Sequence, residues 1–169
     1  MPEFCTIGVY GFDEAGFFAA LQEAGVDGFC DTRRRRGVRG SAYAFANAGR
    51  LQARLAELNI AYVHRLDLAP SVELRTAEAR QDRAAHITKR GRIELSAEFC
   101  AGYRAECLGD FDSAEFAASF GPDVRRVVLF CVEREPGACH RSLVAERLEV
   151  DLAITVCHLL PPTIGDGAG

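Results

Sequence analysis

Between Cys131 and Ser142 the chain reads C-V-E-R-E-P-G-A-C-H-R-S, a run holding two thiols, carboxylates, an imidazole, guanidinium groups and a hydroxyl. Such a set can supply a sulfur nucleophile, move protons and bind an anion. The thiolate is the reactive form of cysteine, and a helix N-terminus or a neighbouring cation favours it. Cys139, followed directly by His140 and Arg141, is therefore the candidate low-pKa thiol. Cys131 follows the apolar run Val127-Val128-Leu129-Phe130 and reads first as a packed core sulfur, second as a nucleophile. Glu133 and His140 are candidate proton carriers. Arg141 and Ser142 open a stretch with helical spacing, where a planar guanidinium and free backbone N–H groups could together hold a phosphate, carboxylate or sulfate.

These groups need a scaffold that brings the end of a strand against the start of a helix. Val127 to Cys131 is apolar, β-branched and aromatic, as in a strand buried on both faces. Pro136-Gly137 breaks the extended chain, and Ser142 to Leu148 repeats at helical spacing. Further strands are expected at Cys5 to Val9, Val26 to Cys30, Ile60 to His64 and Ile154 to His158. Caps mark the helices between them. Asp13 precedes Phe17, Leu21 and Ala24, with Gly25 as the stop; Asn47 precedes Leu51, Leu55 and Leu58, closed by Asn59. Ser96 precedes Phe99, Tyr103 and Cys107, and Asp112-Ser113-Ala114-Glu115 has capping-box spacing before Phe116 and Phe120. Strand and helix in alternation argue for right-handed crossovers. The expectation is an α/β fold, a single-domain three-layer α/β/α with a mainly parallel central sheet.

A parallel sheet puts its strand ends on one edge, where open α/β sheets collect ligands. Tyr10, Asp31, His64, Cys131 with Glu133, and His158 would meet there. Asp31 could orient Arg33 or Arg141 or exchange protons; the plainer reading is a buried Asp–Arg pair that fixes loops. His64 is either a general base or a strand-end histidine bonded to a backbone carbonyl. Arg33 joins Arg141 as a candidate anion binder. A metal site drawn from Cys131, Cys139, His140, Cys157 and His158 competes with these readings, but the spacings match none of the common paired signatures, so no metal is assigned. No G-x-x-x-x-G-K-S/T, G-x-G-x-x-G or H-E-x-x-H run occurs, and no cofactor is named.

The 169 residues suit one domain, 1–169, and a hydrophobic content of 49% argues against extended disorder. No run approaches the roughly 18 apolar residues of a membrane span, and Met1-Pro2-Glu3 opens no leader, so a cytoplasmic protein with no membrane partner is expected. Seven cysteines, an odd number scattered through strands and helices, fit buried thiols in a reducing compartment. The net charge of -4 gives no overall pull toward nucleic acid. From Asp31 to Arg65, however, eight Arg stand against Asp31 and Glu57, a distribution that could make one anion-attracting face. The plainer reading is a set of solvated surface residues. Residues 70–95, charged and partly helical, read as an insertion or lid over the sheet edge, or as a solvated helix. Residues 160–169, with Pro161-Pro162 and a Gly-rich end, read as a flexible tail.

Thr6-Ile7-Gly8, Asp31-Thr32-Arg33, Tyr62-Val63-His64, Leu129-Phe130-Cys131-Val132-Glu133 and Cys139-His140-Arg141-Ser142 closely resemble the domain-of-unknown-function 488 family, over nearly the whole chain. Arg35-Arg36-Gly37-Val38-Arg39-Gly40, Tyr43-Ala44-Phe45-Ala46-Asn47 and Asp67-Leu68-Ala69-Pro70 resemble one subgroup of it. Many relatives carry a proline and a Ser-Arg pair in the loop after the second strand, which this chain lacks. The resemblance implies a compact α/β domain with its characteristic residues around one cleft, and brings no assigned reaction. A weaker similarity to rhodanese-like domains covers Asp31-Thr32-Arg33, Cys131 and Arg141-Ser142, although the loop from Cys131 to Arg141 is longer than the usual cradle. The leading expectation is an enzyme acting on an anionic small molecule or a nucleotide-like group. The rival is a module that binds nucleic acid or an acidic partner through the Arg-rich face from Arg33 to Arg54.

Overall fold

A computed structural model describes residues 1–88 and 90–162; residue 89 and the 163–169 part of the expected tail lie outside the described residues. Strands β1 (Glu3–Gly8), β2 (Gly28–Asp31), β3 (Ala61–His64), β4 (Arg126–Cys131) and β5 (Cys157–Leu159) form a 5-stranded sheet in the order β3-β2-β4-β1-β5. All pairs are parallel. The helices are α1 (Glu14–Glu23), α2 (Ala48–Glu57), α3 (Val72–Ala84), α4 (Ala97–Cys107), α5 (Ser113–Ala118) and α6 (Arg141–Leu152). Alternation along β4 feeds two cores. Val127 and Leu129 pack with Phe4 and Cys30 against Phe99, Tyr103, Phe116 and Leu143 of α4, α5 and α6. Val128 and Phe130 pack with Cys5, Ile7 and Phe29 against Phe17, Leu21, Leu51 and Leu55 of α1 and α2. This is the expected three-layer α/β/α arrangement around a parallel sheet. Among the described residues, no helix is long and apolar enough to cross a membrane.

Local chemistry sets the element ends. Asp13 accepts from Gly16 N at 2.7 Å, Ser96 from Phe99 N at 3.1 Å, and Asp112 from Ala114 N and Glu115 N at 2.9 and 2.8 Å. Asn47 departs from its expected role. It precedes α2, but its side-chain oxygen accepts from Val38 N at 2.7 Å and so pins the arginine loop instead of capping the helix. The last strand is also shorter than expected and begins at Cys157, not Ile154. Ala153 turns left-handed at the end of α6, and Glu149 takes Val156 N at 2.8 Å, which delays pairing with β1.

At the other end of β1 the contact is close. A Cβ on Gly8 would sit 1.8 Å from the Glu133 carbonyl oxygen and 3.1 Å from Arg141 Nη1. Gly8→Ala must push β1 away from the loop after β4, and is expected to lower unfolding free energy by about 3 kcal/mol in a denaturant titration. A wild-type midpoint would show that β1 does not touch that loop.

Candidate functional site

Cys131 ends β4; the chain then turns through Pro136–Ala138 and enters α6, which returns Cys139 and His140 to the strand end. His140 Nδ1 lies 3.9 Å from Cys131 Sγ and 3.8 Å from Cys139 Sγ. The Cys131 thiol faces Glu133 Oε2 at 3.5 Å. All four residues are buried. The ring of His140 packs on Tyr103 with centroids 5.4 Å apart.

The opposite side of the imidazole defines its tautomer. His140 Nε2 is 3.1 Å from both the Thr32 carbonyl oxygen and Thr32 Oγ1. A carbonyl only accepts, and the Thr32 hydroxyl gives its proton to Phe130 O at 2.9 Å. Nε2 must therefore carry a proton, which leaves Nδ1 facing the two sulfurs. Thr32→Val removes the hydroxyl and keeps the shape. Thr32 N still bonds Phe130 O at 3.1 Å, and His140 keeps the Thr32 carbonyl, so the expected cost in a urea titration is only about 1 kcal/mol. An unchanged midpoint would mean the hydroxyl is not part of this network.

The two sulfurs are electrostatically unlike. Burial opposes ionisation of Cys139, but the hydrogen bond from Cys131 and the positive charges of His140 and Arg141 outweigh it and hold the thiol well below the usual cysteine range. Cys131 shifts well upward, because its hydrogen bond to Cys139, its burial and the Glu133 carboxylate all favour the protonated form. For His140, burial works against the charged ring, yet the negative sulfur of Cys139 raises its pKa. The shifts favour the anionic form at Cys139, the charged form at His140 and the thiol form at Cys131.

This cluster floors a cavity of about 420 Å³ at the carboxyl edge of the sheet. Arg34, Arg35 and Arg39 of the loop after β2, and Arg75 of α3, line it. Residues 70–95 reach it through α3 and through Arg92, which bonds Asp82 at 2.8 Å and the Ala138 carbonyl at 3.2 Å. Arg92 also stands 3.8 Å from Glu133 Oε1, while its buried Nε has no hydrogen-bond partner.

Cys131, Glu133, Cys139 and His140 thus come together as their spacing suggested. Arg141, expected as an anion binder, does not line the cavity. Its side chain is fully buried, with Nη1 donating to Glu133 O at 2.7 Å, Nη2 to Arg134 O at 3.0 Å and Nε toward Thr6 Oγ1 at 3.5 Å. With its arms engaged it braces β1 against the loop after β4. The start of α6 is likewise closed on itself. Ser142 N and Oγ both bond Cys139 O, at 3.0 and 2.9 Å, and Leu143 N bonds His140 O at 3.1 Å, so Ser142 and these amides hold the turn.

Asp31 and Arg33 follow the plainer reading. Asp31 accepts from Arg33 Nε at 2.8 Å, Arg33 Nη2 at 2.7 Å and Tyr62 Oη at 2.9 Å, and Arg33 Nη1 donates to Ala46 O at 2.9 Å. Arg33 reaches the cavity wall with its donors already engaged, and Asp31 does not reach it. His64 Nε2 meets Arg33 O at 2.8 Å, outside the cavity, as a strand-end histidine bonded to a carbonyl. His158 bonds Thr6 Oγ1 at 2.8 Å and Cys157 lies opposite Cys5 on β5, so the wider Cys/His set contracts to Cys131, Cys139 and His140. Thr32, Tyr103, Arg75 and Arg92 were not singled out by sequence. Thr32 lies inside Asp31-Thr32-Arg33 and Tyr103 on the apolar face of the Ser96-capped helix, whereas Arg75 and Arg92 come from the charged 70–95 region, which has no motif.

No curated protein and no solved structure matches the chain. Residues 15–148, which include all four floor residues and the arginine loop, match the family model described as Domain of unknown function DUF488. By that match, over most of its length, the chain belongs to the DUF488 family.

Proposed function

We propose that the protein is an enzyme acting on an anionic small molecule, of the size of a mononucleotide, held in the cavity above Cys131, Cys139 and His140. One observation carries this reading: the sulfur–imidazole cluster is not sealed in hydrocarbon but floors a cavity of about 420 Å³ that Arg34, Arg35, Arg39 and Arg75 help to wall. Small-molecule sites run to roughly 300–1,000 Å³. Guanidinium groups form charge-assisted hydrogen bonds to phosphate or carboxylate. An anion held by them brings its neighbouring atoms over the electron-rich sulfurs, with Glu133 beside them as proton acceptor or donor. Asp31 and Arg33 serve by fixing the base of the arginine loop.

Calorimetry with adenosine monophosphate and with inorganic phosphate tests this. Binding is expected, and Arg75→Ala, which removes one charge-assisted contact, should weaken it about tenfold. Neither probe binding at low ionic strength would overturn the reading. A second reading rests on the exposure of Arg34, Arg35, Arg36 and Arg39 side by side on one loop. It makes that loop a contact for single-stranded nucleic acid or an acidic partner, with an affinity that falls steeply with salt. Adenosine monophosphate would then fail to compete with an oligonucleotide.

A further inference from the structure

We infer that Cys131, Cys139 and His140 bind a thiophilic divalent cation, zinc by donor chemistry, with its fourth position open to the arginine-walled cavity. This deepens the cavity reading, on which the role of the open position rests. The three donor atoms lie within 4.8 Å of one another. Zinc–sulfur bonds of about 2.3 Å and zinc–nitrogen bonds of about 2.0–2.1 Å, at a tetrahedral angle, give a sulfur–nitrogen edge of about 3.6 Å. The two observed edges, 3.9 and 3.8 Å, need close by only a few tenths of an ångström.

The imidazole is prepared for a cation in the way ligating histidines usually are. Its Nε2 proton is directed at the Thr32 carbonyl, so Nδ1 faces the sulfurs. The ligands sit on rigid elements, one at the end of β4 and two at the entry to α6, with Tyr103 against the ring. Two sulfurs and a nitrogen are wrong for magnesium or calcium, which take oxygen, and right for zinc. Three protein ligands, where a structural zinc has four, leave a position for water or an anionic oxygen. All three ligands and Glu133 line the cavity, so that position opens where the arginines would hold a substrate anion.

The test is cobalt(II) titration of the full chain after chelator treatment, followed by zinc displacement. One cobalt per chain is expected, with tetrahedral d–d bands and a thiolate-to-cobalt charge-transfer band that zinc removes. Cys139→Ser should abolish the charge-transfer band or strip it down, Thr32→Val, which keeps the carbonyl that holds Nε2, should leave binding within a few-fold of wild type, and Cys157→Ser, outside the cluster, should change nothing. Circular dichroism identifies any variant that has simply unfolded. A wild-type protein without the tetrahedral bands, or with bands that survive in folded Cys139→Ser and vanish in Cys157→Ser, overturns the inference. Phosphate calorimetry on the chelator-treated protein reads the cavity separately: anion binding without cobalt binding removes the metal alone, and cobalt binding without anion binding removes the anion reading alone.

Discussion

Arg141→Ala should lower the unfolding free energy by about 4 kcal/mol, measured as a fall in the urea midpoint at unchanged slope. The side chain is fully buried, and its loss strips the carbonyls of Glu133 and Arg134 of their guanidinium donors while opening a void between β1 and the loop after β4. Each buried acceptor left unpaired costs about 1–3 kcal/mol, and the void adds to that. Against a total of about 5–15 kcal/mol for a domain, the variant should still fold but melt early. Arg141→Lys restores a charge without the planar fork and should recover only part of the loss. If Arg141 instead held an external anion, alanine would leave the midpoint in place and remove phosphate affinity.

Asp31→Asn should cost about 3–5 kcal/mol, for a different reason. The carboxylate is fully buried and forms the salt bridge to Arg33, which is only 2% exposed, so the variant leaves a guanidinium in the interior without its counter-charge. Replacing both partners with apolar side chains of similar size removes that stranded charge. Asp31→Leu with Arg33→Met should therefore be more stable than Asp31→Asn in thermal and urea unfolding. In the double variant both Tyr62 Oη and Arg33 N lose their acceptor, whereas asparagine keeps one amide oxygen to accept, so recovery should be incomplete. A single variant as stable as wild type would mean that the pair does not fix the arginine loop.

The layers and the strand edge were legible because both rest on local rules. The unbroken apolar run of β4, the caps at Asp13, Ser96 and Asp112, and the strand–helix rhythm each act within a few residues. The meeting of Cys131, Cys139 and His140 followed from one strand end and one helix start. The direction of long side chains was not legible. Arg141 has the sequence context of an anion binder, but only the fold shows that β1 closes over it and that Gly8 makes room for it. Asp31 and Arg33, two residues apart, pair with each other. Arg34 lines the cavity with Nε and Nη2 bonded to the Pro70 and Ala69 carbonyls, and Arg35, Arg39 and Arg75 line it beside them. Arg75 and Arg92 reach the site through α3 and the turn after it, from a segment whose charge pattern resembles that of any solvated helix.

The most direct test is site-resolved alkylation of the native, metal-free chain by a small thiol reagent, read by mass spectrometry with and without inorganic phosphate. Cys139 should be modified, should keep reacting as pH falls below the ordinary thiol range near about 8.5, and should be protected by phosphate. Cys131 should stay unmodified. Modification of exposed Cys157 alone, with Cys139 inert at every pH, would contradict a reactive sulfur at the floor of the cavity.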